Sequence, residues 1–267
     1  MIDRVTALMR EVASEAVLPR FRRLAADDIQ QKSPGEEVTI ADEEAERLLS
    51  GALPSIVPGS LVIGEEAVAG QPDLLDRLGS GSVWLVDSLD GTANFIEGSP
   101  CFSMMVTLLR DGRAVASWML SPATDVVHVA EQGSGATING EPVRCRPAPA
   151  WSDLRGSILT RFLPPQLRER ILNEATGCRD VLPGLRCAGE EYPAIVQGTQ
   201  DFAVFWRTLP WDHVPGILFL EEAGGRAARF DGTSYSAAKQ GSGLLAACTP
   251  ELWTELQWAL RLSQPSR

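Results

Sequence analysis

The sequence predicts an α+β fold: two N-terminal helices and an antiparallel sheet, followed by strands that alternate with flanking helices. Three observations carry this. Apolar residues recur at helical spacing in two stretches ahead of Pro58. Strand-like runs separated by two-residue turn signals then follow one another as far as Ile138. Beyond a Pro-rich break at Arg146-Pro-Ala-Pro-Ala150, strands and helices alternate, the pattern of a sheet covered by helices.

Val5, Leu8, Met9, Val12 and Ala16 predict an amphipathic helix over residues 3–23, with Pro19 bending it or ending its regular part. Lys32-Ser-Pro-Gly35 reads as a turn. Thr39-Ile-Ala-Asp42 opens a second helix that continues through Leu49 and ends at Pro54 and Pro58-Gly59. Leu61 to Ile63 is a strand running into Gly64-Glu65-Glu66, and Val83 to Val86 is an apolar run of buried-strand length. Phe102 to Arg110 and Arg113 to Leu120 are strands joined by Asp111-Gly112, a strong two-residue hairpin signal. Val126 to Ala130 and Ala136 to Ile138 extend the meander through Gly133-Ser-Gly135, with a further turn at Asn139-Gly140.

The break near residue 147 divides the chain into an N-terminal α+β unit, 1–147, and a C-terminal α/β unit, 148–267, that completes the site. In the second unit Gly156 to Thr160, Leu185 to Cys187, Phe202 to Trp206 and Leu244 to Ala247 read as strands. Pro164 to Thr176, Glu190 to Gln197 and Trp211 to Ala223 read as helices, the last two stopped by Gly198 and by Gly224-Gly225. Thr249-Pro250-Glu251 opens a final helix, with Thr as cap and Pro at the first position.

Composition narrows the function. A net charge of −11, from 35 acids against 24 bases, argues against a nucleic-acid polymer or an anionic membrane surface as partner. Five scattered cysteines without a Cys-x-x-Cys, and only two histidines, disfavour a disulfide framework, a zinc site and His-based catalysis. The N-terminal stretch is charged and amphipathic, unlike a signal peptide, and no run approaches the ~18 apolar residues of a membrane span. A reducing cytoplasm is the expected location.

The chemistry concentrates in Trp84-Leu-Val-Asp-Ser-Leu-Asp-Gly-Thr-Ala-Asn-Phe95. A strand delivers Asp87 and Asp90 three residues apart, with Gly91 and Thr92 directly behind. Two carboxylates so placed call for a counter-charge, and a divalent cation is the usual one. Gly91 permits close backbone approach, and Gly91-Thr92-Ala93 starts a helix whose free N–H groups suit an anion. Cations beside an anion cradle point to phosphate chemistry.

Leu89-Asp90-Gly91-Thr92 resembles the haloacid-dehalogenase phosphatases, but their nucleophilic Asp two positions earlier is Ser88 here. The full string resembles the inositol monophosphatase family, whose pattern is W-x-V-D-P-[IL]-D-G-T-x-N-F, with Ser88 in place of the usual Pro. The resemblance extends from about Lys32 to Gly225. It implies a layered α/β/α/β sandwich, with an antiparallel sheet and a mixed sheet, and a dimer. On its own Glu65-Glu66 would be solvated surface; the resemblance makes Glu65 a metal ligand and a member of the catalytic set. Asp212, in the first turn of a helix, would otherwise be a dipole partner; the resemblance makes it a ligand too. Thr39-x-x-Asp42 reads as a capping box, and the resemblance adds that Asp42 polarises Thr92. Lys32 matches a loop lysine near a third metal.

The activity so implied is Mg²⁺-dependent, lithium-sensitive hydrolysis of a small phosphomonoester by metal-activated water. Two or three ions are expected, held by Glu65, Asp87, the Leu89 carbonyl, Asp90 and Asp212; all are hard oxygen donors, which suit Mg²⁺ over zinc. Asp42, Thr92 and Glu65 form the catalytic set, and the backbone of Gly91 and Thr92 holds phosphate oxygens. The substrate pocket is assigned to Gly189, Glu190, Glu191 and Phe205. Phe205 stands where inositol phosphatases carry an acidic acceptor, so a nucleoside or imidazole-bearing leaving group fits better than a polyol. The alternatives are a 3′(2′)-phosphonucleotide phosphatase or a histidinol-phosphate phosphatase of the same family, or a metal-binding scaffold that regulates a partner.

Overall fold

The computed structural model describes residues 1–33 and 36–263. The first helix, α1 (Ile2–Val12), passes into a π turn, Ala13–Val17, so its regular part ends earlier than Pro19. Lys32 and Ser33, the first half of the predicted turn, lie in a strand. Strand β1 (Ile29–Ser33) pairs antiparallel with β2 (Glu36–Thr39), and Lys32 lies within the first strand. The Pro34-Gly35 part of that turn lies outside the described residues. Helix α2 (Ile40–Ile56) follows, with Pro54 inside its last turn rather than beyond it.

Strand β3 (Leu61–Gly64) leads straight into a short helix that sequence periodicity did not show, α3 (Glu65–Gly70). Strand β4 (Ser82–Asp90) and helix α4 (Thr92–Ile96) carry the central motif. Strands β5 (Ser103–Arg110), β6 (Arg113–Ser121), β7 (Val126–Glu131), β8 (Gly135–Ile138) and the unpredicted β9 (Glu141–Val143) complete the meander. Among the described residues these form a seven-stranded sheet in the order β3-β4-β5-β6-β7-β8-β9, antiparallel except for the β3/β4 pair.

In the second half, β10 (Arg155–Ile158), α5 (Pro165–Glu174), β11 (Asp180–Leu182), α6 (Ala188–Val196), β12 (Phe202–Phe205), α7 (Pro210–Glu222), β13 (Arg226–Arg229), β14 (Leu244–Ala247) and α8 (Pro250–Ala259) alternate as expected, with one correction. Leu185–Cys187 is a loop, and the short strand is Asp180–Leu182. The second sheet runs β11-β10-β12-β14-β13 and is mixed: β10 pairs parallel with β11 and β12, while β14 pairs antiparallel with β12 and β13.

The period of two along β4 explains the layering. Trp84 and Val86 face a cluster shared with α1 and α2 through Val5, Met9, Ala45 and Leu49. Val83 and Leu85 face the opposite side, against Trp211 and Val214 of α7. Strand β5 is buried on both faces, which is why it reads as a continuous apolar run. Helices α6 and α7 therefore lie between the two sheets, and α8 covers the outer face of the second, where Trp253 and Leu256 pack. The order is helices, antiparallel sheet, helices, mixed sheet, with α8 as a further outer layer. No helix among the described residues is long and apolar enough to cross a membrane.

Candidate active site

Four elements converge where β4 ends. The β4/β5 register shifts between Asp87 and Asp90, an irregularity of the kind that re-aims side chains beside functional sites. Gly91 closes the strand at φ +84°, a left-handed conformation that favours glycine. A Cβ there would also lie 3.0 Å from the Cys101 carbonyl oxygen and 3.1 Å from the Cys187 Cβ. Thr92 then opens α4. Ser88 ties this turn to α2, because its hydroxyl donates to the Asp42 carbonyl at 2.8 Å. The position that lacks the usual Pro is held by a hydrogen bond.

Glu65 is delivered by the first turn of α3. The Glu46 carboxylate accepts the backbone N–H of Glu66 and Ala67 at 2.8 and 2.9 Å and so caps that helix. Gly64 makes the approach possible: a Cβ there would stand 2.1 Å from the Glu46 carboxyl carbon. Asp212 comes from the first turn of α7, where Pro210 occupies the first helical position.

These elements bring carboxylate oxygens of Glu65, Asp87 and Asp212 within 4.8 Å of one another. Burial pushes the Asp87 carboxyl well above its usual range, reinforced by Glu65, Asp90 and Asp212. Asp212 is pushed up in the same way, by burial and then by Glu65 and Asp90. A half-buried cluster of like charges, all hard oxygens with Asp87 at its buried centre, has the composition that accepts a divalent cation of the magnesium type. Lys32 approaches from the hairpin. Its Nζ lies 3.0 Å from Glu65 Oε1 and also meets Glu66. Burial alone would lower the lysine, but Glu65 and Glu66 outweigh it and raise its pKa. Glu66 is pushed up to about 7, mainly by burial.

Asp42 and Thr92 also meet as predicted. Asp42 Oδ2 accepts the Thr39 N–H and hydroxyl at 2.9 and 2.6 Å, and Oδ1 accepts the Thr92 hydroxyl at 3.0 Å. The same hydroxyl lies 3.0 Å from the Leu89 carbonyl. Burial raises Asp42 to about 6, against the pull of the hydrogen bonds from Thr39 and Thr92. One carboxylate thus both caps α2 and holds the Thr92 hydroxyl.

Asp90 sits beside the cluster with one oxygen engaged: Oδ2 accepts the Gly189 N–H at 2.7 Å and the Cys187 thiol at 3.2 Å. Burial raises it to about 6. Next to Asp90 and Asp212 opens a cavity of about 430 Å³, lined by Leu159, Phe162, Phe205, Trp206 and three arginines among others. Phe205 is both core and wall, stacked on Tyr192 and edge-on to His213. His213 itself is structural. Burial lowers it to about 3, and its ring lies between the Tyr192 hydroxyl and the Arg207 carbonyl.

Three of the predicted pocket residues hold partners within the protein. Gly189 donates its N–H to Asp90, and a Cβ there would meet Ser103 Oγ at 2.0 Å. The Glu190 carboxylate turns to the Ser121 hydroxyl and does not line the cavity. Glu191 is fully buried, and its carboxylate accepts the Ser157 hydroxyl, the Leu185 N–H and the Gln200 amide, which leaves it no reach to a ligand. Sequence reasoning missed Glu46, Cys187 and Arg161 as parts of the site's surroundings. Only Glu46 carried a signal, as a second acid one turn beyond Asp42 on α2.

Comparison with known proteins agrees with this geometry. Residues 2–264 match the sequence profile described as the inositol monophosphatase family. The chain is 29% identical over 222 residues to the fructose-1,6-bisphosphatase/inositol-1-monophosphatase of Thermotoga maritima, covering 79% of this chain and 78% of that one. It is 31% identical over 238 residues to the inositol-1-monophosphatase of Mesorhizobium japonicum, covering 83% and 85%. In structure it is similar to the Thermotoga maritima IMPase, with a TM-score of 0.82 over 97% of this chain and 96% of that one at 24% identity.

Proposed function

The chain belongs to the inositol monophosphatase family, a family of phosphomonoester hydrolases, and on that premise we propose that it hydrolyses a small phosphomonoester by direct attack of water, without a phosphoenzyme. The observation that carries this reading is the meeting of Glu65, Asp87 and Asp212 within 4.8 Å beside a cavity, with the Asp42–Thr92 pair at the same strand end.

Glu65, Asp87, Asp212, Asp90 and the Leu89 carbonyl would hold the ions; Mg²⁺ bound there supplies neutralisation of the phosphate and a more acidic water. The chain's own groups do the positioning. The Thr92 hydroxyl has one proton and two acceptors at 3.0 Å, Asp42 Oδ1 and the Leu89 carbonyl; with the proton given to the carboxylate, its lone pairs stay available to a water. A water donating to Thr92 Oγ1 is thereby aimed away from the Asp42 side. The N–H groups of Gly91 and Thr92, at the start of α4, offer donors to phosphate oxygens as charge develops. Lys32 keeps Glu65 and Glu66 paired from the hairpin side.

The names of the relatives support phosphorylated polyols and sugars as the substrate class. The cavity supports a narrower choice. Its Phe205 and Trp206 wall offers no carboxylate acceptor for a polyol hydroxyl, which makes myo-inositol phosphate a poor substrate. Lithium inhibition, a homodimer and a cytoplasmic setting belong to the same reading and rest on the family. The test is steady-state turnover of inositol 1-phosphate, a nucleotide 3′-phosphate, histidinol phosphate and a sugar phosphate, with and without Mg²⁺ and across a Li⁺ series. Mg²⁺-dependent release of phosphate from at least one ester is expected. Absence of turnover on all four at saturating Mg²⁺ would overturn it.

A further inference from the structure

The cavity beside Asp90 and Asp212 has an unusual charge inventory for one that opens off an acidic cluster. Among the described residues three arginines line it, Arg161, Arg186 and Arg207, and the lining carboxylates are Asp90 and Asp212, at the acidic end. Arg186 is committed to Glu97, which its Nη1 meets at 2.8 Å. Arg161 and Arg207 share one ring. Their guanidinium carbons stand 4.8 and 4.4 Å from the centroid of Phe162, a side chain 39% exposed at the cavity wall. Each gains a cation–π contact, yet two like charges gathered on one ring repel unless an anion sits with them. Arg207 already holds such an anion: Glu36 of the β1–β2 hairpin pairs with it, and Glu36 does not line the cavity. Leu159, Phe205 and Trp206 give this wall an apolar stretch, beside Thr160, Cys187 and His213.

We propose that the leaving group of the substrate carries a second anion, a carboxylate or a phosphate, on a flat or apolar body. Arg161 and Arg207 bind that anion, and Arg207 exchanges Glu36 for it. This rests on the phosphomonoesterase reading and names its specificity residues. A guanidinium suits either anion because its fork matches two oxygens at once. The apolar wall receives the body, and the phosphate ester reaches back toward Asp90 and Asp212.

A matched series of benzyl phosphates tests this: unsubstituted, 4-carboxy, 4-phosphonomethyl and 4-aminomethyl. The remote substituent changes charge while the reacting alcohol stays the same. For the wild-type protein with Mg²⁺, kcat/KM for the better anionic ester is expected to exceed that for the amine by at least about tenfold, with the neutral ester between them. Which anionic ester leads distinguishes carboxylate from phosphate. In Arg161→Gln/Arg207→Gln the ratio falls toward one, and Glu36→Gln lowers KM for the anionic esters by about twofold or more, as removal of a competing anion requires. Calorimetry with 4-carboxybenzylphosphonate against its 4-aminomethyl counterpart gives the same comparison without turnover. Equal or better use of the amine by the wild type, or an anionic preference that survives the double substitution, overturns the proposal. If no ester in the series is hydrolysed, the phosphatase reading fails instead, while calorimetry still reports whether the arginines select an anion.

Discussion

Replacing Asp87 by Asn separates the functional value of the acidic cluster from its cost to the fold. The Asn side-chain oxygen can still accept the Leu89 N–H, which Asp87 Oδ1 accepts at 3.1 Å, so the substitution removes charge and keeps shape. Asp87 has two carboxylate neighbours, Glu65 and Asp212, within 4.8 Å. At that separation and an effective dielectric constant of about 20, one pair of unit charges repels by roughly 3.5 kcal/mol. Partial protonation relieves some of this, because burial and the neighbouring carboxylates raise the Asp87 carboxyl. A net gain of about 2–3 kcal/mol is therefore expected for the metal-free Asn variant at pH 8. The sign with pH follows from the raised carboxyl: its contribution to wild-type stability is complete below the ordinary value of 3.8 and is lost as pH rises through the higher folded value. The advantage of the Asn variant should thus be small near pH 4 and grow toward pH 8. Urea denaturation in EDTA reads it, as a midpoint shift on the order of 1 M. Turnover at saturating Mg²⁺ should fall at least ~10³-fold in the same variant, and Mg²⁺ should stabilise it less than it stabilises the wild type. An Asn variant no more stable than wild type at pH 8 in EDTA would refute the claim that like-charge repulsion at Asp87 destabilises the metal-free cluster. Retention of half the activity would refute the ligand assignment.

Thr92→Val removes the hydroxyl that Asp42 orients, and should lower kcat by about 10²–10³-fold with little change in KM, measured by steady-state phosphate release. Glu191→Ala should lower stability by about 3 kcal/mol, because the Ser157 hydroxyl, the Leu185 N–H and the Gln200 amide lose their acceptor; an unchanged KM across the ester panel would confirm that Glu191 stands outside the pocket. Gly189→Ala places a Cβ 2.0 Å from Ser103 Oγ and should cost about 1–3 kcal/mol in thermal unfolding, with a loss of activity as the N–H moves off Asp90.

Much of the fold was legible because its signals are local. The Asp111-Gly112 and Asn139-Gly140 turns fix the meander, and both Asp111 and Asn139 adopt the positive φ that such turns need. Thr249 caps α8 through the Leu252 N–H, as its place before Pro250 predicts. What was missed depends on long-range contacts. The β1–β2 hairpin is rich in Glu, Gln and Lys, and it forms where Lys32 reaches Glu65 and Glu66 and Glu36 reaches Arg207. The Leu185–Cys187 segment has the apolar residues of a strand. Its backbone instead serves Glu191 and Asn94, through the Leu185 N–H and the Leu185 carbonyl respectively, so no neighbouring strand can use them.

The same distinction divides the site. Asp87, Asp90, Gly91 and Thr92 lie on one strand–turn–helix, so their spacing in sequence is nearly their spacing in space. Glu65 and Asp212 each begin a helix elsewhere in the chain; taken alone they read as solvated surface and as a dipole partner, and only the family resemblance marked them as ligands. The cavity has no such contiguous unit. Its wall comes from the loops after β10 and β11, from the end of β12 and from the start of α7, and it forms only when the second sheet packs on α6 and α7. An acid near such a cavity can as readily be turned inward, and the short side chains on either side decide which. Ser121 takes Glu190, and Ser157 with Gln200 takes Glu191, so both acids that the family resemblance placed near the substrate hold partners within the fold. The three arginines of the same wall come from the loops after β10, β11 and β12, which meet only in the folded chain, so no sequence spacing announces them together.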